Sequence, residues 1–199
     1  MYMRIGIDEV GRGALAGPLY VCAFGTDIPD KSLLSLFPKK ILKDSKKLNE
    51  KGRLEIFKHL STLRKEGKVI WKIGKVTPKT IDSKGVTNGT RNALTVAIKG
   101  VSKNTKNSVF LDGGLKAPET YTKQTTIIKG DEKIPVIACA SIVAKVLRDS
   151  YMKKLAKKHT NYGFEKHVGY GTKAHIEAIL IFGKMKEHRE LFLRKITKN

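Results

Sequence analysis

Apolar and polar positions divide the chain into short β-rich runs separated by longer stretches of helical period. Arg4 to Val10 (RIGIDEV) is the first such run, and Leu19 to Phe24 (LYVCAF) is its expected hairpin partner. Val69 to Val76 (VIWKIGKV) alternates in part like a strand, and Val109 to Leu111 and Thr125 to Ile128 are further short strands. Asn49 is the expected N-cap of a helix whose apolar face carries Leu54, Phe57 and Leu60. Thr77-Pro78 opens a second helix with Ile81, interrupted at glycine before Leu94, Ala97 and Ile98 continue it. The clearest helical pattern runs from Ile137 to Lys158, small residues first, then Ile142, Val146 and Leu155 with a basic opposite face. Thr172 is the expected N-cap of a final helical stretch, and ELFLRKITKN at the C-terminus is either a helix end or a loose basic tail. Strands early, helices late and some βαβ alternation predict an α/β domain with a mixed central sheet. No repeat, low-complexity tract or shift in composition marks a second domain.

Charge sharpens this picture. The 199 residues include 40 Lys+Arg against 18 Asp+Glu, a formal net charge of +22. That surplus favours a polyanion, nucleic acid before anionic membrane, with a merely solvated basic surface as the alternative. A hydrophobic content of 40% excludes a disordered chain. Cys22 and Cys139 both sit in apolar surroundings and read as small buried hydrophobes, not as a disulfide or metal framework. The best apolar stretch, IPVIACASIVA, falls well short of the ~18 residues of a membrane span. With no leader pattern at the N-terminus, a cytoplasmic location is expected.

In so basic a chain the acids are informative. Asp8, Asp112 and Asp131 each follow a β-rich segment and lie beside glycine or a turn. Strand ends gathered at one sheet edge would bring such carboxylates together, where they repel unless a cation neutralises them. Hard oxygen donors without a His/Cys cluster point to Mg²⁺ or Mn²⁺ rather than Zn²⁺. Structural alternatives stand beside each residue. Asp8-Glu9 could be an ordinary strand end, with one side chain in and one out unless the chain bends, as Gly11 permits. Asp112-Gly-Gly is also a common turn, and Asp131 or Glu132 could simply favour a helix N-terminus. On residues alone the catalytic and structural readings stay open.

Gly11-Arg12-Gly13 permits close backbone approach to a ligand, and Asp44-Ser45-Lys46-Lys47 offers phosphate donors ahead of a helix. Ser141 and Lys145 share a helix face with Asp149; the alternatives are a close-packing serine and a Lys145–Asp149 pair. Tyr170, between Gly169 and Gly171, is placed to stack on a sugar or base, or else to plug a loop. The five histidines show no catalytic spacing, and His175 reads equally as a helix-face residue or a ligand.

Together GIDEVGRGALAGP, DSKKL, LDGG, KGD, ASIVAKVLRD and GYGTKAH, in this order and spacing, resemble type 2 ribonuclease H (ribonuclease HII) from residue 5 to about 175. The resemblance implies a ribonuclease H-like fold, a central mixed β-sheet flanked by helices, in one catalytic domain whose residues from about 160 to 199 form a small helical C-terminal part. It implies endonucleolytic cleavage of RNA in RNA/DNA hybrids and incision 5′ of single ribonucleotides embedded in duplex DNA, leaving 3′-hydroxyl and 5′-phosphate ends. Asp8, Glu9, Asp112 and Asp131 match the family's catalytic acids, which hold two Mg²⁺ or Mn²⁺ ions. Gly11, Arg12 and Gly13 match the turn that senses the 2′-hydroxyl, and Tyr170 the residue that packs on the adjacent sugar. Ser45, Lys46, Ser141 and Lys145 resemble positions that contact the nucleic-acid backbone. Ribonuclease HIII usually carries Gly-Lys-Gly at the turn and an extra N-terminal domain, whereas here the turn holds Arg12 and the first strand starts at Arg4. A basic binding module without catalysis and a metal-dependent DNA nuclease are the competing functions. A monomer is the expectation, and no clamp-binding motif is evident near the C-terminus.

Overall fold

The computed structural model describes residues 2–35, 48–194 and 196. Ser45 and Lys46 lie outside the described residues. Five strands, β1 (Arg4–Val10), β2 (Leu19–Thr26), β3 (Val69–Val76), β4 (Ser108–Asp112) and β5 (Gln124–Ile127), form one sheet in the order β3-β2-β1-β4-β5. β1 pairs antiparallel with β2 and β2 with β3, while β1–β4 and β4–β5 are parallel. The sheet is therefore mixed, as expected, and helices cover both of its faces.

Alternation along β1 decides which side chains meet which helix. Ile5 and Ile7 join Leu19, Val21 and Val109 in a core closed by α3 (Pro78–Val101) through Ile81, Leu94 and Ile98. On the opposite face Cys22, Phe24 and Trp71 pack against α4 (Pro135–Lys158), through Val136, Cys139 and Val143, and against α2 (Glu50–Lys65). Gly6 and Asp8 share this second face, and α4 begins so close to Gly6 that a Cβ there would stand 2.1 Å from the Val136 backbone. Between β2 and α2 lies a short helix, α1 (Asp30–Ser35).

Helix starts follow the local chemistry. Asn49 and Thr77 cap α2 and α3 by accepting from the N–H groups of Gly52 and Thr80. The expected break in α3 falls at Gly85, whose φ of 76° and ψ of 159° interrupt the helix. The expected apolar face of α2 needs correction, because Leu54 is 37% exposed and the buried face is Ile56, Leu60 and Leu63. Beyond α4 come α5 (Phe164–His167), α6 (Lys173–Phe182), capped by Thr172, and α7 (Glu190–Leu193), so the C-terminal stretch begins as a helix end. Among the described residues no helix is long and apolar enough to cross a membrane.

Candidate active site

Parallel pairing of β1, β4 and β5 sends their C-terminal ends to the same sheet edge. Ile7 lies opposite Leu111 and Asp112 opposite Ile127, so Asp8 and Asp112 emerge side by side. Asp131 follows β5 in a 3₁₀ turn (Gly130–Glu132) that is tied back to β4, because Gly130 N–H donates to Asp112 Oδ1 at 2.7 Å. Asp8, Glu9, Asp112 and Asp131 thereby line one cavity of about 260 Å³, together with Ser141 and Lys145 of α4 and Arg53 of α2. Glu9, on the opposite side of the strand from Asp8, reaches it because β1 ends there and the chain turns at Gly11 (φ 83°).

Electrostatics mark this cavity as unusual. Burial pushes the Asp8 carboxyl up to about 7, aided by the charges of Asp112 and Asp131 and opposed by hydrogen bonds from Ser141 and from Glu9 N–H. Burial also raises Glu9, against the pull of Arg12, whose Nη1 lies 3.1 Å from Glu9 Oε1. Carboxylates crowded in this way are short of counter-charge. Lys145 does not supply it freely, since its Nζ pairs with Asp149 Oδ1 at 3.0 Å. Among the described residues no three His, Cys, Asp or Glu side chains are already closed around one point at metal-ligand spacing. Side-chain rotation within the shared cavity is the motion that would bring them to one point. The donor set, four carboxylates at one cavity with neither sulfur nor imidazole, fits Mg²⁺ or Mn²⁺.

The neighbouring turn is held by residues that sequence spacing did not single out. Arg148, 0% exposed on α4, donates to the carbonyls of Pro18 (2.8 Å), Val168 (2.9 Å) and Ala16 (3.2 Å). Arg189, also 0% exposed, donates to the carbonyls of Gly17 (3.0 and 2.9 Å) and Arg12 (2.8 Å). Gly11 must be glycine, because a Cβ on its left-handed backbone would stand 2.2 Å from Arg148 Nε. Gly13 has open space where a Cβ would be, and Arg12 beside it is exposed. The 167–172 loop docks on this turn, with Gly169 carbonyl accepting from Leu15 and Ala16 N–H at 2.8 and 3.1 Å. That places the half-buried Tyr170 ring 5.4 Å from the Arg148 guanidinium, beside the turn but outside the lining of the acidic cavity.

Three buried imidazoles support the loop. His167 and His175 stack at 4.3 Å, and His175 Nε2 lies 3.2 Å from His188 Nε2. His188 Nδ1 accepts from Met185 N–H, so its Nε2 carries the hydrogen and donates to His175, leaving His175 Nδ1 to donate to the Tyr170 carbonyl at 2.9 Å. The relay requires neutral rings, and burial lowers both His175 and His188 to about 4. This settles His175 as a packed structural residue. Because the folded values lie below the ordinary 6.5, the rings' contribution is full above about pH 6.5 and is lost as pH falls from there toward 4. The melting temperature should therefore fall across this window, more steeply than in a His175→Gln/His188→Gln variant. Asp8 acts in the opposite direction, gaining stability as pH drops below about 7, but equally in both proteins. Parallel melting curves for the two would contradict the assignment.

The family model for ribonuclease HII matches residues 5–196. The chain is 42% identical to ribonuclease HII of Prochlorococcus marinus over 98% of each chain. It is 40% identical to that of Pelagibacter ubique over 96% of each. Among solved structures it superposes on the ribonuclease HII of the Archaeoglobus fulgidus PCNA complex with a TM-score of 0.71, at 25% identity over 94% of this chain and 93% of the other. Bst-RNase HIII in complex with Mn²⁺ shares the fold, with a TM-score of 0.73 at 18% identity over 99% of this chain and 68% of the other. The chain belongs to the ribonuclease HII family and is a nuclease with ribonuclease H activity on RNA/DNA hybrids.

Proposed function

We propose that Asp8, Glu9, Asp112 and Asp131 hold two divalent cations, Mg²⁺ or Mn²⁺, and that the chain incises 5′ of single ribonucleotides embedded in duplex DNA as well as cutting longer hybrids. The observation that carries this reading is the convergence of four carboxylates, from the ends of β1 and β4 and the turn after β5, on one cavity of a chain with net charge +22. When bound, two such ions activate a water and stabilise the leaving oxygen of an in-line phosphodiester displacement. The chain's own residues supply the rest. Ser141 steadies Asp8 by hydrogen bonding, and the Asp112–Gly130 bond keeps the third and fourth acids in register. Arg12 and the uncovered backbone at Gly13 lie beside Glu9 and would meet the sugar next to the cleaved bond. A hydrogen bond from this turn to a 2′-hydroxyl separates RNA from DNA at one chosen sugar, and a deoxyribose would leave that group unpaired. Tyr170 would pack on the neighbouring sugar from across the turn. On this reading the whole chain works as one catalytic unit, with the 167–172 loop and Arg189 buttressing the recognition turn.

The test is a DNA duplex carrying one internal ribonucleotide, incubated with Mg²⁺, Mn²⁺ or EDTA. The expected result is a single cut on the 5′ side of the ribonucleotide, leaving 3′-hydroxyl and 5′-phosphate ends and lost in EDTA. No cut in either metal, by protein that still cleaves a long hybrid, would reject incision at single ribonucleotides. Cleavage that survives EDTA would reject the role given to the acids.

A further inference from the structure

Each backbone N–H and carbonyl of Gly169 and Tyr170 has a partner within the fold. Two of those partners are imidazoles. His167 Nδ1 accepts from Gly169 N–H at 3.2 Å, and His175 Nδ1 donates to the Tyr170 carbonyl at 2.9 Å. His167 Nε2 therefore carries the hydrogen and donates to the Tyr162 carbonyl at 2.8 Å, so this ring too has one defined tautomer. The Tyr170 N–H closes the segment by donating to the His167 carbonyl at 2.9 Å. All three imidazoles are buried and none lines the acidic cavity. Any part they play in the reaction runs through Tyr170.

Val168 supplies a second, independent observation. Its φ is 45°, a left-handed backbone that a β-branched side chain resists. Gly163 and Gly169 nearby adopt similar angles (φ 65° and 88°) without that cost. Strain of this kind persists only where surrounding bonds over-determine it. Here the Val168 carbonyl accepts from Arg148 Nη1 at 2.9 Å, and its N–H donates to the Phe164 carbonyl at 3.0 Å. On the other side of the strained residue the two imidazoles hold Gly169 and Tyr170. If those bonds were lost, the chain would relax at Val168 and carry Tyr170 away from the turn.

We propose that His175 is a positioning residue for ribonucleotide recognition, holding the strained segment seated so that the Tyr170 ring keeps one orientation beside the Gly11–Gly13 turn. His188 fixes the His175 tautomer, and His167 secures the preceding glycine. The inference rests on the sugar-packing role proposed above for Tyr170 and names what sets it. A single ribonucleotide offers one productive register and a long hybrid offers many. Loss of a fixed Tyr170 should therefore cost more at the single ribonucleotide.

The test compares two substitutions by single-turnover cleavage of both substrates, well below the variants' melting temperatures. An asparagine amide nitrogen can take the place of Nδ1, whereas that of glutamine takes the place of Nε2. Both lose the imidazole stacking, so their difference reads the bond to Tyr170. His175→Gln should lower the ratio of single-ribonucleotide to long-hybrid rates roughly 3- to 10-fold, the worth of one hydrogen bond. His175→Asn should recover most of that ratio. In a Tyr170→Ala background His175→Gln should change the ratio no further, because the two residues act as one unit. His188→Phe, which keeps a ring but frees the His175 tautomer, should show a smaller loss of the same kind and serves if His175→Gln fails to fold. Equal ratios in the Asn and Gln variants, a full His175→Gln effect without Tyr170, or a wild-type ratio in His188→Phe would each overturn the positioning role. A wild-type ratio in Tyr170→Ala alone would overturn the sugar-packing reading instead, so the two failures are distinguishable.

Discussion

Asp112→Asn is expected to cut hybrid cleavage about a thousandfold while leaving folding and duplex binding nearly intact. The magnitude follows from removing a ligand charge where metal supplies several kcal/mol of transition-state stabilisation, at 1.36 kcal/mol per factor of ten. Asparagine keeps an oxygen that can accept from Gly130 N–H, the bond that ties β4 to the turn bearing Asp131, so the local fold has no reason to change. Binding rests on phosphate contacts made by a strongly basic chain and should be insensitive to one half-buried acid, or slightly improved. Single-turnover cleavage, anisotropy in EDTA and a melting curve together check these points. A near-normal rate would reduce Asp112 to a turn residue.

Arg148→Met is expected to be the most damaging change outside the acids, with about 3 kcal/mol or more of stability lost. Methionine matches the length of the arginine stem but offers no donor, so the carbonyls of Ala16, Pro18 and Val168 lose their shared partner in a dry environment. Those carbonyls belong to the segment that follows the Gly11–Gly13 turn and to the Tyr170 loop. Cleavage should therefore fall along with stability, and metal should not rescue it. Urea unfolding measures the first effect and cleavage at saturating Mn²⁺ the second. Arg148→Lys, which retains a charge and three donors, should recover part of the loss. A Met variant within about 1 kcal/mol of wild type would show that water replaces the guanidinium, and the staple would then be incidental.

The two arginines also explain where sequence reading stops. Arg148 lies in KVLRDSYMKK, among basic residues that an amphipathic pattern assigns to solvent, yet it is fully buried. Only a ring of backbone carbonyls from segments far away in sequence makes that burial tolerable. Arg189 has the same character, and no spacing rule connects it to Gly17. Arg53 sits in an ordinary charged helix that gives no local sign of function, although the fold turns it into the acidic cavity. The misplaced face of α2 has a related cause: Leu54 and Leu60 fit a helical stripe equally well, and only the position of Phe24 and Trp71 selects Ile56, Leu60 and Leu63.

What was written in local chemistry was legible without coordinates. β3 matches its expected bounds, Asn49, Thr77 and Thr172 cap the helices expected of them, and Gly85 breaks α3 where a glycine was expected to. These features depend on side-chain period, on short-range hydrogen bonding and on the freedom of glycine, all contained within a few residues. The resemblance of the motifs to one family was legible as well, because it resides in residue order. The meeting of Asp8, Glu9, Asp112 and Asp131 was not contained in any such window. It depends on β4 and β5 running parallel to β1, a pairing across more than a hundred residues that burial of both sheet faces makes favourable. The packing of His167, His175 and His188 and the two arginine staples are likewise products of segments brought together only in the folded chain. Local sequence determined the elements and their ends; long-range burial decided which charges became neighbours, and the chemistry depends on those neighbours.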